Sequence, residues 1–177
     1  AALAENGTAV TLTVKVENVG SYSGKEVVQV YGSYGYQPEN SRLETPYQTL
    51  LAYQKTGLLE PGEAETVEIT IPASRMASYD EENDHFLLQK GTYLLRVGTG
   101  SRQTSVAAAL TLDKDVVTEE CTPGLFAIRN DDRVPGDDRE TLEQGKLTYQ
   151  SIKNPPQPFE CWDAGDAPKF CLDAGAL

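Results

Sequence analysis

The sequence is poor in the residues on which most enzyme chemistry runs. Its 177 residues hold one histidine, one tryptophan, one methionine and three cysteines. Any Ser-His-Asp or Cys-His mechanism would have to pass through His85, which stands at a strand entrance with no nucleophile motif beside it and reads as a surface or turn residue. Cys121, Cys161 and Cys171 include no C-x-x-C, which argues against a zinc site. Cys161 and Cys171 can close a small loop in an oxidising compartment. The odd count and a cysteine-free first part favour reduced thiols instead, and with them a cytoplasmic over a secreted setting. Basic residues are scarce: 15 Lys and Arg against 27 Asp and Glu leave a net charge of −12, the wrong sign for a nucleic-acid partner and ordinary as a source of solubility. No apolar run reaches the ~18 residues a membrane span needs. The opening AALAENGTAV has neither the charged n-region nor the long apolar h-region of a secretory signal. Neither a membrane nor nucleic acid is expected as a partner.

Short acidic and glycine-rich stretches add little chemistry. Asp80-Glu81-Glu82-Asn83-Asp84 lacks the alternating ligand spacing of a calcium loop and reads as solvated charge. Gly98-Thr99-Gly100 is too short for a phosphate loop and precedes a strand. No metal site is expected.

What is abundant is period-2 alternation. Val10, Leu12, Val14 and Val16 share one face of a strand, with Thr11, Thr13 and Lys15 on the other. Lys25–Tyr31, Tyr47–Thr56, a strand through Val67, Ile69 and Ile71, then His85–Gln89, Thr92–Gly98 and Gln103–Leu112 follow, parted by turn residues. Glu60-Pro61-Gly62-Glu63 has Pro and Gly at the two central positions of a type II turn, and Ser74–Tyr79 has room for one helical turn. About seven short strands predict an all-β fold, an immunoglobulin or fibronectin type III-like antiparallel sandwich over residues 1–112. Residues 113–177 change character. They carry Asp131-Asp132, Asp137-Asp138, Pro155-Pro156 and sparse apolar residues, and read as an irregular acidic connector with at most a short helix near residues 139–143.

The wording of three blocks carries a resemblance. Asn18-Val19-Gly20, then Gly24-Lys25-Glu26-Val27-Val28-Gln29-Val30-Tyr31, resembles the opening of the fibronectin type III-like domain of glycoside hydrolase family 3, the β-glucosidase family. Ala52-Tyr53-Gln54-Lys55-Thr56 with Leu58-Leu59-Glu60-Pro61-Gly62-Glu63 is similar to its next block. Tyr79-Asp80 and Gly91-x-Tyr93…Val97-Gly98-Thr99-x-Ser101-Arg102 are similar to its closing block. Met76-Ala77-Ser78-Tyr79-Asp80-Glu81 resembles the bacterial branch in which this module precedes the catalytic barrel. Where the family has a large aromatic in the strand after Tyr-Asp, Phe86 is expected to fill that core position.

The resemblance implies a non-catalytic accessory domain. Its partners would be the (β/α)₈ barrel and α/β domain of a retaining β-glycosidase, with a β-linked oligosaccharide nearby and no cofactor. Retaining hydrolysis needs two carboxyl groups about 5–5.5 Å apart. The S-D-x context of the family's nucleophile is missing, so no catalytic residue is assigned and the chain alone is not expected to be an enzyme. Trp162-Asp163-Ala164-Gly165-Asp166 reads as a linker turn with one anchoring Trp. The loop Gly32–Pro46 is the candidate contact site. Tyr34 and Tyr36, with Tyr31 nearby, offer flat faces, and Asn40 and Arg42 offer polar tips, suited to a protein interface or a sugar as well as to an ordinary solvated loop. A free-standing carbohydrate-binding module or an immunoglobulin-like interaction module is the alternative function.

Overall fold

The computed structural model describes residues 1–34, 43, 45–121 and 165–177. The described residues group into one compact unit. Its strands are β1 (Ala2–Leu3), β2 (Ala9–Glu17), β3 (Val27–Tyr34), β4 (Thr49–Lys55), β5 (Ala64–Pro72), β6 (Ser78–Asp80), β7 (His85–Leu88), β8 (Gly91–Gly100), β9 (Gln103–Leu112), β10 (Val116–Glu120) and β11 (Lys169–Cys171). They form a five-stranded sheet in the order β11-β9-β8-β3-β4, and two three-stranded sheets, β1-β2-β5 and β10-β7-β6. No helix among the described residues is long and apolar enough to cross a membrane.

The alternation of β2 and β5 builds one wall of the core. Their antiparallel register runs from Ala9↔Pro72 to Glu17↔Ala64 without a slip and sets Val10 beside Ile71, Leu12 beside Ile69 and Val14 beside Val67. Period 2 sends these residues to a single face. There they share a buried cluster with Val28, Val30 and Tyr34 of β3, Leu51 of β4, Tyr93 and Leu95 of β8, and Ala108, Leu110 and Leu112 of β9. The opposite face of β2 and β5 is polar, with Thr11 Oγ1 and Thr70 Oγ1 2.9 Å apart.

Turn chemistry closes the strands. The Glu63 N–H donates to Glu60 O at 2.9 Å and Gly62 has φ +80°, so Pro61-Gly62 is the type II turn its wording predicts. At Gly98 the β8–β9 ladder bulges. A Cβ there would lie 1.9 Å from the Gln103 carbonyl oxygen, so only glycine fits. The expected helical turn is a 3-10 turn over Ala73–Met76.

The sandwich continues past residue 112. Val116–Glu120 pairs antiparallel with β7, and Lys169–Cys171 adds a parallel strand to β9, followed by the buried Leu172. Strands this short carry too few residues to display a period, which is why β1, β6, β10 and β11 escape a pattern-based reading. The helix expected near residues 139–143, and Trp162 and Asp163, lie outside the described residues; Asp166 is exposed. Cys121 and Cys171 are free thiols, and Cys161 lies outside the described residues.

Candidate functional surface

Of the four residues expected to make contacts, Tyr34 is in the core. It is 6% exposed, and its ring meets that of Tyr93 with centroids 4.9 Å apart at a tilt of 52°. Its hydroxyl donates to the Lys90 carbonyl at 2.9 Å, and that of Tyr93 to the Gln89 carbonyl at 2.9 Å. Burial, reinforced by the Asp115 carboxylate, raises the Tyr34 phenol pKa. Burial also raises Tyr93, with neighbouring Tyr34 the next cause. Tyr34 therefore presents no face to a sugar, because β3 runs on to residue 34 instead of ending at Tyr31. Tyr31 is buried too, its hydroxyl donating to Gln29 Oε1. Tyr36, Asn40 and Arg42 lie outside the described residues.

Two other expectations are corrected. Phe86 does not fill the core; Leu87 and Leu88 do, while Phe86 sits exposed with its ring 5.4 Å from that of Tyr79. Asp80 is buried, not solvated. Its Oδ1 accepts from the Glu82 N–H at 3.1 Å and its Oδ2 from Asn83 Nδ2 at 2.9 Å, while half-buried His85 brings Nε2 to 3.4 Å. These bonds fold the β6–β7 turn, in which Asp84 takes φ +53°. The hydrogen bond from Tyr79 to Asp84 Oδ1, at 2.9 Å, holds the Tyr79 phenol above its ordinary pKa. Among the described residues no group of three His, Cys, Asp or Glu side chains is placed to hold a metal ion.

Exposed apolar side chains lie at both ends of the sandwich and, as Tyr53 does opposite Gln29, between them. At one end the β2–β3 loop is tied to the β4–β5 turn by Asn18. Its Nδ2 donates to the carbonyls of Tyr22 and Leu59, both at 2.8 Å, and its Oδ1 accepts from the Gly20 N–H at 3.0 Å. Ser23 Oγ donates to Glu60 Oε2 at 2.7 Å, completing the tie. Val19 and Tyr22 project from this loop, 90% and 87% exposed, with exposed Leu58 on the facing turn.

At the other end, nine residues along β5, the 3-10 turn carries Arg75. Its Nη1 donates to the Leu51 carbonyl of edge strand β4 at 2.7 Å. Two shallow depressions share Arg75 as a wall. One, of about 300 Å³, is lined by Leu50, Leu51, Ala52 and Tyr53; the other, of about 380 Å³, by Ser74, Ala77, Phe86, Thr118 and Glu119. Sequence reasoning missed this surface, because its residues come from four separate segments and Arg75 belongs to no motif.

Sheet order, register and turn chemistry together define a fibronectin type III-like β-sandwich. Residues 26–101 match the family model described as "Fibronectin type III-like domain". The chain is 37% identical over 122 residues to β-glucosidase A of Butyrivibrio fibrisolvens, a match covering 66% of this chain and 14% of that protein. It is 33% identical over 124 residues to a β-glucosidase of Ruminococcus albus, covering 67% and 13%. Among solved structures, a β-glucosidase from Paenibacillus barengoltzii superposes with TM-score 0.59 at 33% identity, over 66% of this chain and 13% of that one. β-Glucosidase 3B from Thermotoga neapolitana superposes with TM-score 0.57 at 30% identity, over 67% and 16%. The chain thus carries the fibronectin type III-like domain of glycoside hydrolase family 3 β-glucosidases, and spans about one seventh of the curated relatives it matches.

Proposed function

We propose that the chain is a non-catalytic accessory domain of a family 3 β-glucosidase-like enzyme, and that it holds the catalytic domains in register. The observation that carries this reading is the extent of the match, a β-sandwich aligned to 13–16% of enzymes several times its length. A rigid sandwich suits the task, because ångström-scale misplacement of a carboxyl pair costs on the order of a hundredfold in rate. The partners are then the parent's barrel and α/β domain, and the reaction served is retaining hydrolysis of β-linked glucosides. Tyr36, Asn40 and Arg42 are proposed to reach that partner from the loop between β3 and β4.

The test is a chimera of the Paenibacillus barengoltzii β-glucosidase in which this 177-residue chain replaces the matching domain. It should cleave a chromogenic β-glucoside, whereas the same enzyme with the domain deleted, and this chain alone, should not. A folded chimera as inactive as the deletion would refute the reading, as would turnover by this chain alone.

A further inference from the structure

Resting on the accessory-domain reading, we infer that the Arg75 end of the sandwich is the surface that docks against the catalytic part of the enzyme. Its complement is a carboxylate flanked by two apolar side chains. The 3-10 turn holds exposed Arg75 between the two depressions, and its hydrogen bond to Leu51 O ties the guanidinium while using one of its five donors. Arg75 makes no ion pair among the described residues, although Glu119 lines one of the same depressions. In a chain of net charge −12, this arginine stands without an ion pair beside exposed Leu50, Tyr53 and Phe86. Arginine and tyrosine in such a setting are the residue types that dominate binding energy at protein interfaces. A guanidinium whose planar fork is already oriented takes a carboxylate in two parallel hydrogen bonds.

The edge position decides the mode of docking. β4 borders the five-stranded sheet, and an open edge invites strand addition. Arg75 occupies the Leu51 carbonyl, so the partner meets side chains and the guanidinium instead of extending the ladder. The competing surface, at Val19, Tyr22 and Leu58, lies about 30 Å from Arg75 along the nine-residue β5 at 3.3 Å per residue, while Tyr53, opposite Gln29 on β4, stands between the two. It projects apolar side chains beside Glu60, with no fixed guanidinium at its centre.

The same chimera tests the assignment. Arg75→Glu is expected to lower its kcat about tenfold and its melting temperature by several degrees. The isolated chain should lose only the few degrees that the missing bond to Leu51 O accounts for, and the fall in the chimera should exceed it. Arg75→Gln and the pair Tyr53→Ser with Phe86→Ser should give smaller losses in the same direction, and they carry the test if Arg75→Glu fails to fold. Val19→Ser with Tyr22→Ser should leave the chimera as it was. If the unsubstituted chimera is active and the Arg75 variants match it, or if only the Val19 and Tyr22 variants lose activity, the docking assignment falls while the accessory-domain reading stands. If the unsubstituted chimera is inactive, both fall. Dimers of the isolated chain that Arg75→Glu dissociates would make a second copy the occupant and overturn the assignment.

Discussion

Replacing Asn18 by alanine removes three hydrogen bonds from a single side chain while leaving the backbone ladder around it intact. The Asn18 N–H still donates to Glu63 O at 2.9 Å, and its carbonyl still accepts from Gly62 N at 2.8 Å, so the variant isolates the amide. The bond to the Leu59 carbonyl is half-buried and contributes about 1 kcal/mol. Those to Tyr22 O and from Gly20 N are exposed and contribute about 0.5 kcal/mol each, since water replaces them in part. Leu59 O keeps its bond from Gly24 N at 3.0 Å and is not orphaned, which holds the total near 2 kcal/mol. For a unit of this size that lowers the melting temperature by roughly 6 °C.

Asn18→Asp sharpens the test. The acceptor for Gly20 N remains, but a carboxylate oxygen replaces Nδ2 and confronts two carbonyl oxygens that now lie 2.8 Å from that nitrogen. The aspartate variant should therefore be less stable than the alanine variant at neutral pH. Carbonyls facing a carboxyl group raise its pKa in the fold above the unfolded value, so the variant should regain stability as pH falls. Urea unfolding followed by intrinsic fluorescence measures both, with an unchanged slope confirming that the folded unit is the same. An aspartate variant as stable as wild type, or an alanine variant within a few tenths of a kcal/mol of it, would refute the account of Asn18 as the tie between the two loops.

Two further outcomes follow from the core. Leu172→Ala empties a side chain that is 6% exposed beneath β11 and should cost about 2–4 kcal/mol in urea unfolding; a loss under 0.5 kcal/mol would mean that the C-terminal strand does not share the core. The folded phenols of Tyr34 and Tyr93 lie above the ordinary value of 10.0, so their contribution is complete below that pH and declines as pH rises through it, where the unfolded chain ionises first. Urea midpoints measured from about pH 8 to 11 should fall for the wild type and fall less steeply for Tyr93→Phe; parallel curves would contradict the burial of that hydroxyl.

Long-range order was legible wherever one residue type repeats on one face. The nine residues of β2 and of β5 alternate cleanly, and their pairing follows without a slip. Tyr34 shows where the rule fails. Tyrosine suits both a core and a contact surface, and only the extension of β3 to residue 34, with the carbonyl of Lys90 within reach of the hydroxyl, decides between them. Phe86 fails for the opposite reason. In His85-Phe86-Leu87-Leu88 both leucines are buried, so alternation breaks and the larger ring is left outside against Tyr79. Arg75 was illegible because its role comes from a carbonyl 24 positions away in another strand.

Two of the family's turn motifs and the Arg75 surface thus sit at different ends of the molecule for a physical reason. Asn18-Val19-Gly20 and Glu60-Pro61-Gly62-Glu63 form one internally bonded tie, in which Asn18, Gly62 and Glu63 are held by one another and by Leu59. Residues whose hydrogen bonds are spent inside the fold report on how the sandwich closes, and they would read the same whatever it touched. At the Arg75 end the bonding is incomplete, with a guanidinium using one of its five donors among the described residues and depressions of about 300 and 380 Å³ open beside it. Unspent hydrogen-bonding capacity next to exposed aromatic surface is what a partner can use, so the partner's identity has to be sought from that end.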